Sequence, residues 1–335
     1  MKAYEIRDAF GVDALALSER PDPAPGPGQV VVKTHAVSLN FRDLLVVKGE
    51  YSRKLPLPMT PCSDCAGEVS AIGAGVTRVK PGDRVAGIFM QTWIEGEVTE
   101  SKARSALGGA IGGVLAESVL FHQDGLVPIP AHLSFEEGAT LPCAAVTAWH
   151  ALIAEGALQP GDTVVTLGSG GVSLFAIQFA KLAGARVIST SSSDAKLSRL
   201  CALGASDGIN YKTTPDWDKR VRELTGVGAD HIVEVGGATT LPKSLKCVRM
   251  GGTISLIGNV GGNGDVNPLP LIMKNARMQG IFVGSRAMFE AMNRAIASSG
   301  LRPVIDRVFP FDQARDAMHY MESGVHFGKI CIKVS

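Results

Sequence analysis

Three glycines stand within four positions of the segment TLGSGGVS, at residues 166–173. They follow the β-branched run Thr163–Leu167, which predicts a strand, and precede residues 172–183, whose apolar side chains recur at helical spacing. A helix that begins after such a turn presents free N–H groups and a dipole that attract an anion, and glycines let a phosphate approach the backbone. The segment therefore predicts a site for the pyrophosphate of a dinucleotide. Its predicted contacts are Ser169, Gly170, Gly171 and Val172.

The spacing of the glycines departs from the strict G-x-G-x-x-G pattern, because Ser173 occupies the third glycine position. Serine is small and still permits close packing of the helix against the strand. The alternative is a glycine-rich turn in an α/β domain that binds no ligand. The strand before the turn, the helix after it and the repeated strand–helix units favour the dinucleotide site.

The end of the next predicted strand bears on which dinucleotide binds. An NAD site carries an acid about 20 residues after the glycines, which corresponds to Ser191 in a run of serines here. Hydroxyl groups with a lysine nearby receive the 2′-phosphate of NADP without repelling it. Asp194 comes later and is predicted to cap the next helix. The sequence favours NADPH over NADH, with predicted contacts from Ser191, Ser192, Lys196 and Tyr211.

Two patterns of secondary structure divide the chain. The first third is rich in predicted strands, such as Lys2–Ile6, Gln29–Ala36 and Gly67–Ile72, and contains a long loop at 90–116. From the middle of the chain onward, strands and helices alternate, which predicts a parallel sheet with helices on both faces. The last strand, 329–334, is expected to return to the N-terminal domain.

Composition narrows the class of protein. The chain has 335 residues, 45% hydrophobic and 19% charged, which suits a globular protein of two domains. A formal net charge of +1 argues against nucleic acids and anionic membranes as partners. No apolar stretch reaches the roughly 20 residues of a membrane span, and no signal-peptide pattern is present, so a cytoplasmic location is expected. The six cysteines are expected to be reduced, with Cys62 and Cys65 in buried structural roles.

Several stretches resemble the medium-chain dehydrogenase/reductase superfamily, and together they span essentially the whole chain. They are VSLNFRDLLVVKGEY (37–51), TPCSDCAGEVSAIGAGV (60–76), VKPGDRVAG (79–87), GATLPCAAVTAWHAL (138–152), GSGGVSLFAIQFAK (168–181) and FGKICIKV (327–334). EYSRK and TPCSDCAG are most similar to its zinc-independent quinone oxidoreductase branch, the zeta-crystallin-like proteins. The stretch with Trp93 and SALGGAIGGVLAE resembles bacterial zinc-type alcohol dehydrogenase-like proteins of undefined substrate.

This resemblance implies an α/β fold with three segments. A GroES-like, β-rich catalytic domain is expected at 1–128, and a Rossmann domain with a doubly wound parallel sheet at 129–270. Residues 271–335 are expected to complete the Rossmann sheet and then the catalytic domain.

The resemblance also bears on metal binding. Zinc members of the superfamily hold a catalytic metal with a Cys, a His or Glu, and a second Cys. The first position is Asn40 here, the His position is Ser63 followed by Asp64, and only Cys143 remains as a ligand. Catalytic zinc requires three protein ligands, and the cysteine-rich lobe for a structural zinc is missing from the sequence as well. A zinc-free protein is therefore expected.

A nicotinamide can reduce electron-poor acceptors such as quinones, enones and aldehydes without a metal. Asn40 occupies the position of the first zinc ligand in zinc members of the superfamily. Its amide is expected to donate to the substrate oxygen, where charge develops. By resemblance, Tyr51 lines the same cleft and Thr147 contacts the nicotinamide side. Ordinary turn hydrogen bonding is the alternative for Asn40 and Tyr51, and Arg42 and Asp43 are expected to brace the turn.

Other positions follow from the same resemblance. Ile257, Gly258 and Val283 end strands and are expected near the cofactor. Phe89 and Trp93 open the 90–116 loop and are expected to form an apolar wall of the substrate pocket, with packing under the loop as the alternative.

The resemblance and the candidate site also predict the oligomeric state and the activity. Strands 253–258 and 278–283 resemble the edges through which superfamily dimers join, so a homodimer is expected. The favoured activity is NADPH-dependent, zinc-free reduction of quinones or α,β-unsaturated carbonyls. One alternative is a metal-free alcohol or aldehyde oxidoreductase, and another is an NADPH-binding sensor or structural protein with little turnover.

Overall fold

The protein divides into two compact units. The structure, a computed structural model, describes residues 1–52 and 54–335, so Arg53 of the EYSRK segment lies outside it. Residues 1–146 and 283–335 form the first unit, and residues 147–282 form the second. Residues 129–146, which were expected in the Rossmann domain, belong to the first unit, while residues 271–282, which were expected to complete the Rossmann sheet, belong to the second unit.

Fifteen strands and eleven α-helices lie within the described residues. The strands are β1 (Lys2–Glu5), β2 (Ala16–Glu19), β3 (Gln29–Ser38), β4 (Asp64–Ile72), β5 (Arg84–Gly87), β6 (Ser118–His122), β7 (Leu126–Pro128), β8 (Thr163–Leu167), β9 (Arg186–Ser191), β10 (Asp207–Asn210), β11 (Ala229–Glu234), β12 (Val248–Leu256), β13 (Arg277–Gly280), β14 (Ile305–Pro310) and β15 (Lys329–Lys333). The helices are α1 (Phe41–Val47), α2 (Glu100–Ala103), α3 (Phe135–Ala139), α4 (Val146–Trp149), α5 (Gly171–Leu182), α6 (Asp194–Leu203), α7 (Trp217–Thr225), α8 (Leu241–Cys247), α9 (Leu269–Met273), α10 (Arg286–Ser299) and α11 (Ala314–Glu322).

The first unit is built on a seven-stranded sheet. Its strand order is β14-β15-β3-β4-β5-β7, and β6 also pairs with β3. Strand β15 lies antiparallel to β3, with Cys331 opposite Ser38, so the C-terminal strand is part of the sheet of the first unit. Alternating residues of β3 and β4 point into an apolar core that also takes side chains from α1 and α11. The core therefore joins the two ends of the chain.

The second unit contains six parallel strands in the order β10-β9-β8-β11-β12-β13. The first strand of this unit, β8, lies in the middle, and the chain winds outward in both directions from it. This is the doubly wound Rossmann order, and the predicted fold class is confirmed. Strands β8 and β11 are almost fully buried because helices cover such a sheet on both faces.

One predicted helix cap is wrong, although the helix itself spans Asp194–Leu203. Ser193, rather than Asp194, caps helix α6, since its Oγ accepts a hydrogen bond from the Lys196 backbone N–H at 3.4 Å. Ser193 has the extended backbone that a cap requires, with φ −141° and ψ 127°. Asp194 is already helical, and its carboxylate accepts from Asn210 Nδ2 at 2.8 Å.

The cysteines occupy both buried and exposed positions. All six lie among the described residues and are free thiols, and Cys62 and Cys65 are buried. Burial raises the pKa of the Cys65 thiol to about 12. Separately, none of the helices in the described part of the chain is long and apolar enough to cross a bilayer.

Candidate functional site

The glycine-rich turn leaves open space at the start of helix α5. Gly170 is the cap residue, with φ −78° and ψ 173°, and no side chain caps the helix. A Cβ placed on Gly168 or Gly170 would meet no atom within 4 Å. Gly168 also has a φ of +73°, which favours glycine. The twelve-residue helix thus directs its free N–H groups into a space that a pyrophosphate can fill.

Ser173 accounts for the departure from the glycine pattern. Its side chain is 1% exposed, and its Oγ donates to the carbonyl oxygen of Leu167 at 2.7 Å. The hydroxyl therefore ties the first turn of α5 to the end of β8. Serine takes over the close helix–strand approach that the third glycine provides in the strict pattern.

The ends of β8, β9 and β10 bring the predicted adenosine contacts together. Gly168 N donates to Thr190 O at 2.9 Å, and Tyr211 N donates to Ser191 O at 3.0 Å. Ser191 is 2% exposed at the end of β9, whereas Tyr211 is 42% exposed. Ser192 and Lys196 are half-buried beside them in sequence, at the start of α6. No acid occupies the end of β9.

Ile257 and Gly258 follow β12 and are fixed by the end of β11. Both backbone N–H groups donate to the carbonyl oxygen of Glu234, at 2.8 and 3.3 Å. The Glu234 carboxylate is fully buried and accepts from Gly236 N at 2.8 Å and Gly237 N at 3.1 Å. Glu234 was not among the predicted site residues, although an acid that ends the run HIVE shortly before two glycines is a usable signal. This carboxylate organises the strand ends.

Thr147 and Val283 mark the two junctions of the units. Thr147 lies in α4 and is 3% exposed. Helix α4 is flanked by two π-helical segments, Leu141–Ala145 before it and His150–Ala154 after it. Val283 has a φ of 57°, a conformation that β-branched residues rarely adopt, and is 5% exposed. Irregular backbone of both kinds is frequent at functional sites. Contact of these two residues with the cofactor stays a prediction.

In the first unit, Asn40 caps helix α1 and lies in a polar cluster. Its backbone N–H donates to Asp43 Oδ2 at 2.8 Å, as in a capping box. Its side-chain Oδ1 accepts from Lys329 Nζ at 2.6 Å, and its Nδ2 lies 3.4 Å from Ser63 Oγ. The second contact is at the outer limit of a hydrogen bond, so the Nδ2 donor is only weakly engaged.

Ser63 and Asp64 form the buried end of this cluster. Ser63 Oγ donates to Asp64 Oδ1 at 2.6 Å, and the backbone N–H of Cys143 donates to Asp64 Oδ2 at 3.0 Å. Both side chains are fully buried. Burial raises the pKa of the Asp64 carboxyl, while Lys329, Ser63 and Asn40 oppose the rise. Lys329 was not among the predicted site residues, because no local feature of the strand KICIKV indicates that its first lysine is buried.

Tyr51 and Phe89 are connected to the cluster through Arg42. The Arg42 guanidinium carbon lies 4.9 Å from the Tyr51 ring centroid and 4.7 Å from the Phe89 centroid. Its Nη1 donates to Leu107 O at 2.9 Å, so Arg42 ties the start of α1 to the 90–116 loop, whereas it is Asp43 that bonds within the turn. Tyr51 is 46% exposed and thus open to a ligand.

Phe89 and Trp93 are buried side chains that pack inside the first unit. They are 1% and 2% exposed, and the Trp93 indole N–H donates to Gly96 O at 2.8 Å. Neither side chain presents an open apolar surface. A substrate-contacting role for them stays a prediction.

Two family models match the chain. Residues 26–131 match the alcohol dehydrogenase GroES-like domain, and residues 171–298 match the zinc-binding dehydrogenase domain. A zinc-type alcohol dehydrogenase-like protein of Schizosaccharomyces pombe is 44% identical over 341 residues, covering 99% of both proteins. Quinone oxidoreductase of Rattus norvegicus is 29% identical, covering 95% of this chain and 92% of the relative.

Solved structures share the same architecture. The crystal structure of an NAD-dependent alcohol dehydrogenase superposes with a TM-score of 0.92 at 36% identity, covering 100% of both chains. That of the 2-octenoyl-CoA carboxylase reductase CinF, in complex with NADP and 2-octenoyl-CoA, superposes with a TM-score of 0.87 at 27% identity, covering 99% of this chain and 87% of that one.

The chain belongs to the medium-chain dehydrogenase/reductase superfamily and to its quinone oxidoreductase-like branch. It is an oxidoreductase of that superfamily, and the open turn at Gly170 fits the nicotinamide dinucleotide with which such enzymes work.

The catalytic zinc that the family implies does not fit this chain. At the ligand positions, the oxygen of Asn40 is taken by the ammonium of Lys329, and both oxygens of Asp64 accept hydrogen bonds. Burial raises the pKa of the Cys143 thiol well above its ordinary value, which disfavours the thiolate that zinc requires. Among residues 1–52 and 54–335, no group of three or more His, Cys, Asp or Glu side chains could hold a metal ion.

Asp43 gives the cluster a pH dependence. Burial raises the pKa of its carboxyl to about 7, with Arg42 opposing and Asp64 reinforcing the rise. The native state then binds this proton more tightly than the unfolded state, whose pKa is about 3.9. Native stability should therefore fall as the pH rises from about 4 to about 7, and level off above that.

Replacing Asp43 with asparagine tests this dependence. Asp43→Asn keeps an oxygen to accept from the Asn40 N–H but removes the buried charge. The loss of unfolding free energy between about pH 5 and pH 8 should shrink by about 3 kcal/mol. Urea unfolding at the two pH values measures it, with Asp22→Asn, at an 83% exposed side chain, as the control. Equal pH dependence in wild type and Asp43→Asn would contradict the assignment.

Proposed function

We propose that this protein is an NADPH-dependent oxidoreductase that reduces quinones or α,β-unsaturated carbonyl compounds without a metal ion. The observation that carries the proposal is the Asn40 carboxamide, which stands at a metal-ligand position with its oxygen bonded to Lys329 and its Nδ2 donor weakly engaged. Such a donor suits an acceptor whose oxygen gains charge during reduction.

When bound, the dinucleotide supplies the hydride for the reaction. In the second unit, the N–H groups at the start of α5 hold its pyrophosphate, and Ser191, Ser192, Lys196 and Tyr211 form the place for its phosphorylated adenosine. In the first unit, Asn40 donates to the acceptor oxygen. Quinones and enones need no stronger polarisation, because their products carry a delocalised charge.

Two other activities remain as alternatives. The first is oxidation and reduction of alcohols and aldehydes, which is favoured by the names of the Schizosaccharomyces pombe relative and the NAD-dependent alcohol dehydrogenase structure. The second is binding of NADPH with little turnover, as a sensor or structural protein. The partly exposed Tyr51 and the weakly engaged Asn40 donor favour an enzyme.

An assay of nucleotide oxidation separates these possibilities. Purified protein is mixed with NADPH or NADH and a panel of quinones, enones, aldehydes and alcohols, and absorbance at the reduced-nicotinamide band is followed. We expect turnover with quinones or enones and with NADPH. Turnover confined to alcohols and aldehydes supports the first alternative, and tight NADPH binding without turnover supports the second.

Ser191 should decide the choice of nucleotide. Ser191→Asp places a carboxylate at the end of β9, where it repels a 2′-phosphate and accepts from a free 2′-hydroxyl. We expect the Kd for NADPH to rise about a hundredfold while that for NADH stays equal or falls. Calorimetric titration of both nucleotides measures the ratio, with the uncharged Ser191→Ala as the matched control. An equal change for both nucleotides would reject NADPH selection at this residue.

We also propose a homodimer that forms through strand β13. All four residues of this strand are exposed at the edge of the six-stranded sheet, and Met250, Ile272 and Met273 are 70%, 75% and 68% exposed. An edge with free backbone groups beside apolar side chains suits pairing with a second copy. Sedimentation equilibrium should give twice the mass of the chain, and a monomer at micromolar concentration would refute the dimer.

A cytoplasmic location stays a prediction.

A further inference from the structure

Lys329 is a buried ammonium whose hydrogen bonds lead to the candidate catalytic amide. The residue is 4% exposed at the start of β15. Its Nζ donates to the carbonyl oxygen of Leu39 at 2.6 Å and to Asn40 Oδ1 at 2.6 Å. Both acceptors are neutral, so the positive charge stands directly next to the amide, while its attraction also reaches the carboxyls of Asp64 and Asp43. Burial of such a charge is costly unless its hydrogen bonds are made.

These contacts set the orientation of the Asn40 amide. An ammonium only donates, so the group that faces it has to be Oδ1, and Nδ2 has to point away. On the other side, Ser63 Oγ gives its own hydrogen to Asp64 Oδ1 at 2.6 Å, which leaves it able only to accept from Nδ2. These three contacts are all directed from the ammonium of Lys329 toward the carboxylate of Asp64, and the one from Nδ2 to Ser63 Oγ, at 3.4 Å, is the weakest of them.

The same contacts strengthen the Nδ2 donor. A positive charge at the amide oxygen draws electron density from the nitrogen, and successive hydrogen bonds in a buried chain polarise one another. The low dielectric of a buried site enlarges the effect. Asn40 is therefore held as a directed donor that is stronger than a free carboxamide.

We propose that Lys329 is a positioning residue for the reduction, and that it acts by orienting and polarising the Asn40 carboxamide toward the oxygen of the substrate. This inference rests on the proposed function of Asn40, and it adds a group 289 positions away in sequence. Charge that develops on the substrate oxygen is met by a preorganised N–H donor, so Lys329 contributes to the transition state without touching the substrate.

Kinetics of Lys329 variants test the inference. Lys329→Met removes the donor, and Lys329→Gln keeps a neutral N–H donor. We expect kcat to fall about tenfold in Lys329→Met and less in Lys329→Gln, with the Kd for NADPH unchanged. The matched control is Lys333→Met, an exposed lysine on the same strand. Circular dichroism shows which variants are folded, and Lys329→Gln is the variant to use if Lys329→Met does not fold.

A double-mutant cycle identifies the route of the effect. If Lys329 acts through Asn40, then adding Lys329→Met to Asn40→Ala should cause no further loss of kcat, because the amide it acts on is already gone. Losses that multiply, or a Lys329→Met variant with full kcat, would overturn the proposal.

Side-chain amide NMR decides the positioning separately from activity. In ¹⁵N-labelled protein, the Asn40 NH₂ pair is assigned by its disappearance in Asn40→Asp. The chemical shifts of this NH₂ pair should move upfield in Lys329→Met because the polarising ammonium is gone, and they should be unchanged in Lys333→Met. An unmoved pair in Lys329→Met overturns the inference. If the wild type oxidises no nucleotide with any acceptor, the proposed activity fails, while the NMR result still decides whether Lys329 orients Asn40.

Discussion

Replacing Gly170 with aspartate is expected to weaken binding of NADPH by about a hundredfold or more, while the fold is retained. The side chain would stand at the start of α5, in the space where a Cβ meets no atom within 4 Å. A carboxylate there excludes the pyrophosphate by volume and by charge, and it competes for the helix N–H groups. The loss corresponds to about two charge-assisted hydrogen bonds.

Retention of the fold follows from the backbone at this position. The φ of −78° and ψ of 173° at Gly170 are extended values that any residue adopts, so the substitution adds no strain. An aspartate also serves as a helix cap. Calorimetric titration measures the affinity for NADPH, and circular dichroism measures the midpoint of thermal unfolding. Gly170→Ala should show a smaller loss because it adds volume without charge.

A glycine in the first unit provides the control for Gly170. Gly112→Asp places the same side chain where a Cβ also meets nothing within 4 Å, but away from any predicted nucleotide contact. NADPH should bind this variant as it binds the wild type. Full affinity for NADPH in Gly170→Asp would show that the glycine-rich turn is not the pyrophosphate site.

Replacing Asn40 should lower turnover much more than nucleotide binding. Loss of one donor to a developing oxyanion costs about a hundredfold or more in kcat in known enzymes, and the nucleotide contacts predicted for the second unit are unchanged. Steady-state kinetics with a responsive quinone or enone, together with the Kd for NADPH, measures both effects. Unchanged turnover in Asn40→Ala would disprove the polarising role.

Two variants of Asn40 separate the donor from its structural contacts. Asn40→Ala removes both the Nδ2 donor and the oxygen that accepts from Lys329, so it leaves a buried ammonium with one acceptor fewer. Asn40→Asp keeps an oxygen for Lys329 and a good helix cap but has no N–H donor. We expect Asn40→Asp to be the more stable of the two, with a similar loss of kcat. A high kcat in Asn40→Asp alone would show that only the contact to Lys329 matters.

Much of the fold could be predicted because its signals are local. The β-branched run at 163–167, the glycines and the apolar spacing of 172–183 lie next to one another in the chain, so periodicity and turn chemistry were enough to place β8, the turn and α5. The alternation of strands and helices then implied the doubly wound sheet. Local signals were weaker where two residues competed for one role, as at Ser193 and Asp194.

By itself, the sequence determined the superfamily, the doubly wound sheet, the candidate dinucleotide turn and the loss of zinc ligand types at Asn40 and Ser63, because each depends on residue type at a short spacing. Tertiary structure alone decided the rest of the site. It buried Lys329 and brought its ammonium to Asn40 from 289 positions away, and it buried Asp43 so that its carboxyl titrates at about 7. Burial and hydrogen-bond partners depend on chain segments that meet only when the sheet closes, with β15 lying beside β3, and no short stretch of sequence records that meeting.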